Sequence, residues 1–167
     1  MNLRSLMFVL LFAVSSAACA GSFHAGLRVS EDVNAEETGL PTYPGATIVE
    51  NRHGDNDSAK VQIGFGEYGL KVVVAKLRSD DPVEKIAAFY RDKLGQFGEV
   101  LDCSGPQADK PRERKSKALS CDGDRPEKRG LLFKAGRKSD QHLVEIRPKG
   151  SGSEFSLVHV QVNGLDW

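Results

Sequence analysis

Four histidines, three cysteines and one dense basic run are the parts of this chain whose types could do chemistry. His53 stands beside Asp55 and Asp57, and an imidazole close to two carboxylates is a potential metal-ligand or acid–base set. The same stretch, Asn51 to Ser58, is dense in turn formers, so a solvated hairpin tip is the expected reading. Asp55-Asn56-Asp57 fails as a calcium loop, because Ala59 occupies the third acidic position and neither the following glycine nor the closing glutamate is present. His142 and His159 lie in strand-like stretches with Glu145 nearby. Two imidazoles and a carboxylate would suit a metal or a proton transfer, but sequence alone does not pair them, and polar positions on the wet face of a sheet are the expected reading. His24 falls in a polar N-terminal segment.

No nucleophile is set up. There is no G-x-S-x-G, no S-x-x-K in a helical setting, and Gly64-Phe65-Gly66 lacks the strand-to-helix context of a phosphate-cradling loop. The sequence therefore gives no catalytic residue, no cofactor and no metal set, although a small hydrolytic or metal-dependent enzyme using the histidines stands as an alternative. Cys103 and Cys121 are expected to form a disulfide, since two isolated cysteines without C-x-x-C spacing make a poor zinc set. Closing a loop of about 17 residues stabilises by roughly 3 kcal/mol in the chain-entropy treatment. Between the two cysteines lies a basic run containing Lys110, Arg112, Arg114, Lys115 and Lys117, joined later by Lys128, Arg129, Arg137 and Lys138. Such a loop is a candidate for binding an anionic polymer, a lipid head group or an acidic protein. It has no aromatic residue for base stacking, so nucleic acid is not expected as a partner.

The N-terminus is read as an address. Arg4 precedes the apolar run Leu6 to Val14, which is too short to span a bilayer, and Ala18-Cys19-Ala20 fits a small-residue cleavage site. Residues 1–20 are thus expected to be a signal peptide, placing the protein in the periplasm or outside the cell. The competing reading is a lipobox at Ser16 to Cys19, with Cys19 lipidated and the protein membrane-anchored; only then is a membrane expected as partner. Residues 21–39 are polar and acidic and read as a flexible tether. The net charge is zero, so no global field steers the chain towards nucleic acid or a membrane surface.

Residues 40–167 read as one domain. Leu40 to Ala46 gives a rigid, proline-bearing start, and Thr47-Ile48-Val49 a first strand. Ala59, Val61, Ile63 and Phe65 alternate with Lys60, Gln62 and Gly64 in a second, and Leu70 to Leu77 runs back as a more apolar third. A helix of about 16 residues, roughly 24 Å long, follows. Asp81 is its expected N-cap, Pro82 its first residue, Glu84 its capping-box acceptor, Val83, Ile86, Ala87, Tyr90, Leu94 and Phe97 its apolar stripe, and Gly98 its stop. Glu99 to Cys103 and Ala118 to Cys121 read as two short strands of a long hairpin, and Leu131 to Ala135, His142 to Arg147 and Phe155 to Val162 as three more. The fold class that follows is α+β: a curved, mostly antiparallel sheet of about seven or eight strands with one helix packed on one face.

Tyr43-Pro44-Gly45-Ala46, Phe89-Tyr90-Arg91 with Leu94, and the cysteine-bearing strands after them resemble a loosely defined set of uncharacterised exported bacterial proteins. The resemblance covers Leu40 to the C-terminus and implies a fold, with no activity or catalytic residue to transfer. The expectation for function is a non-catalytic exported component of the envelope, acting as a binding or structural module. A lipid-anchored protein that binds anionic polymers through the basic loop is the alternative.

Overall fold

The computed structural model describes residues 25–49, 58–65, 67–105, 118–121, 123–126 and 129–164. The leader and lipidation readings at Cys19, the residues His24, His53, Asp55 and Asp57, and the basic run Lys110, Arg112, Arg114, Lys115 and Lys117 lie outside them.

Among the described residues eight strands form one antiparallel sheet: β1 (Ala25–Ser30), β2 (Thr47–Ile48), β3 (Ala59–Phe65), β4 (Tyr68–Ser79), β5 (Leu101–Asp102), β6 (Leu131–Arg137), β7 (Asp140–Lys149) and β8 (Gly152–Asn163). Their spatial order is β1-β3-β4-β8-β7-β6-β5, with β2 paired to the far end of β4. Tight turns link β3 to β4, β6 to β7 and β7 to β8, where Phe65 faces Tyr68, Arg137 faces Asp140 and Lys149 faces Gly152. Gly150 supplies the positive φ, +62°, that such a two-residue turn requires.

Strict alternation sorts the side chains. Val73, Ala75 and Leu77 of β4, Phe155 and Leu157 of β8, Val144 and Ile146 of β7, and Phe133 and Ala135 of β6 are buried on one face. The helix α1 (Val83–Leu94) lies there, over β6 and β7, with Ile86, Ala87, Tyr90 and Leu94 buried. A 3-10 turn, Gly95–Phe97, continues it to Gly98. The helix starts one residue later than the sequence suggests: Pro82 is the N-cap residue and no side chain caps it. Asp81 is drawn instead into two other bonds, accepting from the Tyr43 hydroxyl at 2.8 Å and from Lys85 Nζ at 2.9 Å. Both bonds favour the charged carboxylate and hold its pKa below the usual value, Lys85 being the larger influence.

The helix reaches Phe155 of β8 through Tyr90, and the rest of the β4 and β8 face is covered by residues 33–43. Most of that cover falls within residues 21–39, which the sequence reads as a tether. That reading is corrected here: Ala25–Ser30 is the edge strand β1, paired along β3, and Ala35–Thr38 is a 3-10 turn lying against β4 and β8. Asn34 and Glu37 form a capping box at its start, Lys60 binds Glu37 at 2.7 Å, and Val33, Ala35, Thr38 and Leu40 are buried. Few apolar residues suffice, because each fills a small gap beside the helix and polar ones cap the turn.

A second correction concerns Ala118 to Cys121. It is not a strand hairpinned with the first cysteine's strand. Ala118 makes an isolated bridge to Arg137, while Leu101 and Asp102 pair with Lys134 and Phe133, so both segments lie along β6. Cys103 and Cys121 are nevertheless bonded, with Cα atoms 5.6 Å apart and a sequence separation of 18. The bridge packs with Leu132, Leu101 and Leu143 on the sheet face away from the helix. Lys134, only 3% exposed, fixes the same segment by donating to the Ser120 carbonyl at 3.1 Å and to Asp124 at 2.7 Å.

Candidate functional site

β7 and β8 pair so that His142 stands directly opposite His159. Both belong to the core-facing set, His142 in line with Val144 and Ile146, His159 in line with Leu157 and Phe155. The wet-face reading of the two histidines is therefore corrected: His142 is 4% exposed, and the rings stack on each other at 4.4 Å with 7° between their planes. Phe97, from the 3-10 turn after the helix, stacks on the far side of His142 at 3.5 Å.

The arm closes the third side. The Nδ1–H of His142 donates to the carbonyl oxygen of Thr38 at 2.9 Å, the only direction that bond can take. Gly39 follows in the left-handed region at φ +78°, and a Cβ there would meet His142 Cε1 at 3.0 Å, so the arm's backbone fits against the ring edge only as glycine. With Nδ1 protonated, the neutral ring keeps its lone pair on Nε2. Burial pushes the pKa of His142 down and the neighbouring His159 pushes the same way, while the Thr38 carbonyl and Asp140 oppose them.

The carboxylate of the group is Asp140, at the first position of β7. Its Oδ1 lies 2.7 Å from His159 Nε2 and 3.8 Å from His142 Nε2. Its side chain is 54% exposed, so the group has one wet member and two sheltered ones. His159 Nε2–H donates to Asp140, and its Nδ1 is buried without a hydrogen-bond partner among the described residues. Sequence reasoning missed Asp140, naming Glu145 as the nearby carboxylate. Glu145 differs from His142 by an odd number of residues and so lies on the opposite face. There it lines a depression of about 160 Å³ with Lys76, Arg147, Glu154 and Ser156. Asp140 and His142, two apart on one strand and opposite His159, carried a usable signal, but only once the β7–β8 register is known.

Chemically, Asp140 and His159 form a hydrogen-bonded acid–base dyad, and His142 adds a second nitrogen lone pair beside it. Phe97 and His159 cover the two faces of the His142 ring and Thr38 and Gly39 its Nδ1 edge, which leaves Nε2 on the Asp140 side. Of the other sequence-predicted sites, the disulfide cysteines are together on the other face, and Arg137 and Lys138 lie at the β6–β7 turn next to Asp140. Among the described residues no helix is long and apolar enough to cross a membrane.

No protein-family model, curated protein or solved structure matches this chain. Its function has to be argued from its own residues.

Proposed function

We propose that this chain works outside the cytoplasm as a non-catalytic binding or structural module of the cell envelope. The observation that carries the reading is the Cys103–Cys121 bridge, a bond that persists in oxidising compartments and is uncommon in the reducing cytosol. The leader-like residues 1–20 agree with it.

Intact mass of the protein recovered from its native host tests this. The expected result is a chain in the envelope or periplasmic fraction, shortened after Ala20 or acylated at Cys19, with a two-hydrogen deficit for the bridge. A full-length, reduced chain in the cytoplasm would overturn the reading. Acylation at Cys19 would select the anchored alternative, which also expects adsorption to acidic polymers through Lys110, Arg112, Arg114, Lys115 and Lys117 at low salt and release at high salt.

A further inference from the structure

We infer that Asp140, His142 and His159 form a binding site for a first-row divalent transition metal, with zinc and cobalt as its natural probes. One ligand atom from each residue lies within 4.8 Å of the others, and the Asp140 and His159 atoms are already 2.7 Å apart. Two imidazole nitrogens and one carboxylate oxygen suit zinc, cobalt, nickel or ferrous iron rather than the hard cations that prefer all-oxygen sets.

His142 is prepared for the role. A ligating imidazole almost always donates its other N–H to a carbonyl or carboxylate, which fixes the tautomer and aims the free nitrogen. The Thr38 carbonyl does this for His142 Nδ1, and Phe97 holds the ring plane, leaving Nε2 as the free donor atom on the Asp140 side. Asp140, more than half exposed, gives an ion its way in.

His159 is the ligand that moves. An imidazole lone pair lies in its own ring plane, and the two rings are stacked 4.4 Å apart with 7° between their planes, so both cannot aim in plane at one ion between them. His142 is clamped on two sides, whereas His159 is tied by its single bond to Asp140 and keeps a buried Nδ1 with no partner among the described residues. Turning His159 out of the stack brings the two Nε2 atoms to bear on a common point beside Asp140. It also opens Nδ1 to water. The proton now on Nε2 passes by way of solvent to Nδ1, so the neutral ring binds the metal without net proton loss, and the orphaned nitrogen becomes a hydrated donor. Three protein ligands leave at least one coordination position for water.

The test is calorimetric titration of the metal-free full chain with zinc chloride in a non-coordinating buffer, repeated with cobalt chloride and read by visible absorption. Saturable one-to-one uptake is expected, with His159→Gln and Asp140→Asn each weakening it about tenfold or more. The double variant His24→Gln/His53→Gln should bind like the wild type. Asp140 is exposed, so Asp140→Asn keeps the test decisive even if His159→Gln folds poorly. Imidazole resonances of His159 should lose their ring-current shift on zinc loading while the Phe97-stacked resonance of His142 keeps its own. No zinc uptake at millimolar metal, or uptake unchanged in Asp140→Asn and lost in His24→Gln/His53→Gln, would overturn the inference.

Discussion

His142 holds the carbonyl of Thr38 through its Nδ1 at 2.9 Å, across 104 positions of sequence. That bond joins the N-terminal arm to the middle of the sheet, and with Val33, Ala35 and Leu40 buried beside it the arm is part of the core. A chain beginning at Leu40 should therefore lose roughly 3–5 kcal/mol, from exposure of Val33's site, the β4 and β8 aliphatics and the unpaired edge of β3. Urea denaturation of the truncated and full chains checks it. Equal midpoints would mean that the arm is a tether after all.

The disulfide closes a loop spanning 18 positions, so Cys103→Ser with Cys121→Ser should cost about 2–4 kcal/mol. The variant's melting temperature, compared with that of the oxidised wild type, reads this. Because the helix packs on the other face, near-ultraviolet signals from Tyr43 and Tyr90 should persist in the folded variant at low temperature.

Glu154 lies under Arg147, which donates through Nε at 3.0 Å, with Lys76 at 3.6 Å and Lys149 at 3.9 Å. Burial acts to raise its pKa, but Arg147 above all and the two lysines together hold it below the ordinary 4.5. A depressed folded value means that its contribution is present above the unfolded value and lost as the pH falls through the folded one. Glu154→Gln should be less stable than wild type by about 1–3 kcal/mol at neutral pH, with the gap closing below the ordinary carboxylate range. Melting curves across the acid limb measure it, and a gap that widens on acidification would contradict the assignment.

Two glycines should behave oppositely. At Gly152 a Cβ would collide with the Ser79 carbonyl and sit 2.8 Å from Asp80 Cα, so Gly152→Ala should destabilise by about 1–3 kcal/mol or more. Gly26, in the edge strand, has nothing within 4 Å of such an atom, and Gly26→Ala should be neutral or stabilise by up to about 1 kcal/mol. Chemical denaturation of the pair distinguishes them.

Tyr90 is fully buried, and its hydroxyl donates to the Pro41 carbonyl at 3.2 Å. Burial drives its pKa far above the ordinary phenol value. Tyr90→Phe should cost about 1–2 kcal/mol by leaving that carbonyl unpaired, read as a lowered urea midpoint with an unchanged slope.

The sheet and helix were legible because burial leaves a period. Val158, Val160 and Val162 alternate with Leu157, His159 and Gln161, and Ile86, Tyr90 and Leu94 recur at helical spacing. Alternation does not say which face is inside, and the more valine-rich face of β8 is the outer one. That inversion hid His159, and with it His142. β1 was illegible for a related reason: Leu27 and Val29 point away from the helix and stay 68% and 62% exposed, so their strand is held by backbone pairing with β3 and not by burial. Asp81 misled because a good N-cap side chain is equally good at accepting from a tyrosine, and Tyr43, 38 positions earlier, is invisible to a local rule. The Asp140–His142–His159 group needed three facts at once: a strand register, a face and a turn position.

β8, the last strand among the described residues, occupies the middle of the sheet, between β4 and β7. While the chain emerges from a ribosome, β1 to β4 and β5 to β7 can form only as separate hairpins with raw edges facing each other. Only when β8 is free can the two halves be joined. The native sheet thus waits on β8, whose pairing with β4 is a non-local closure of the slow kind, and loss of Gly152–Asn163 would leave two unjoined half-sheets instead of a shortened protein.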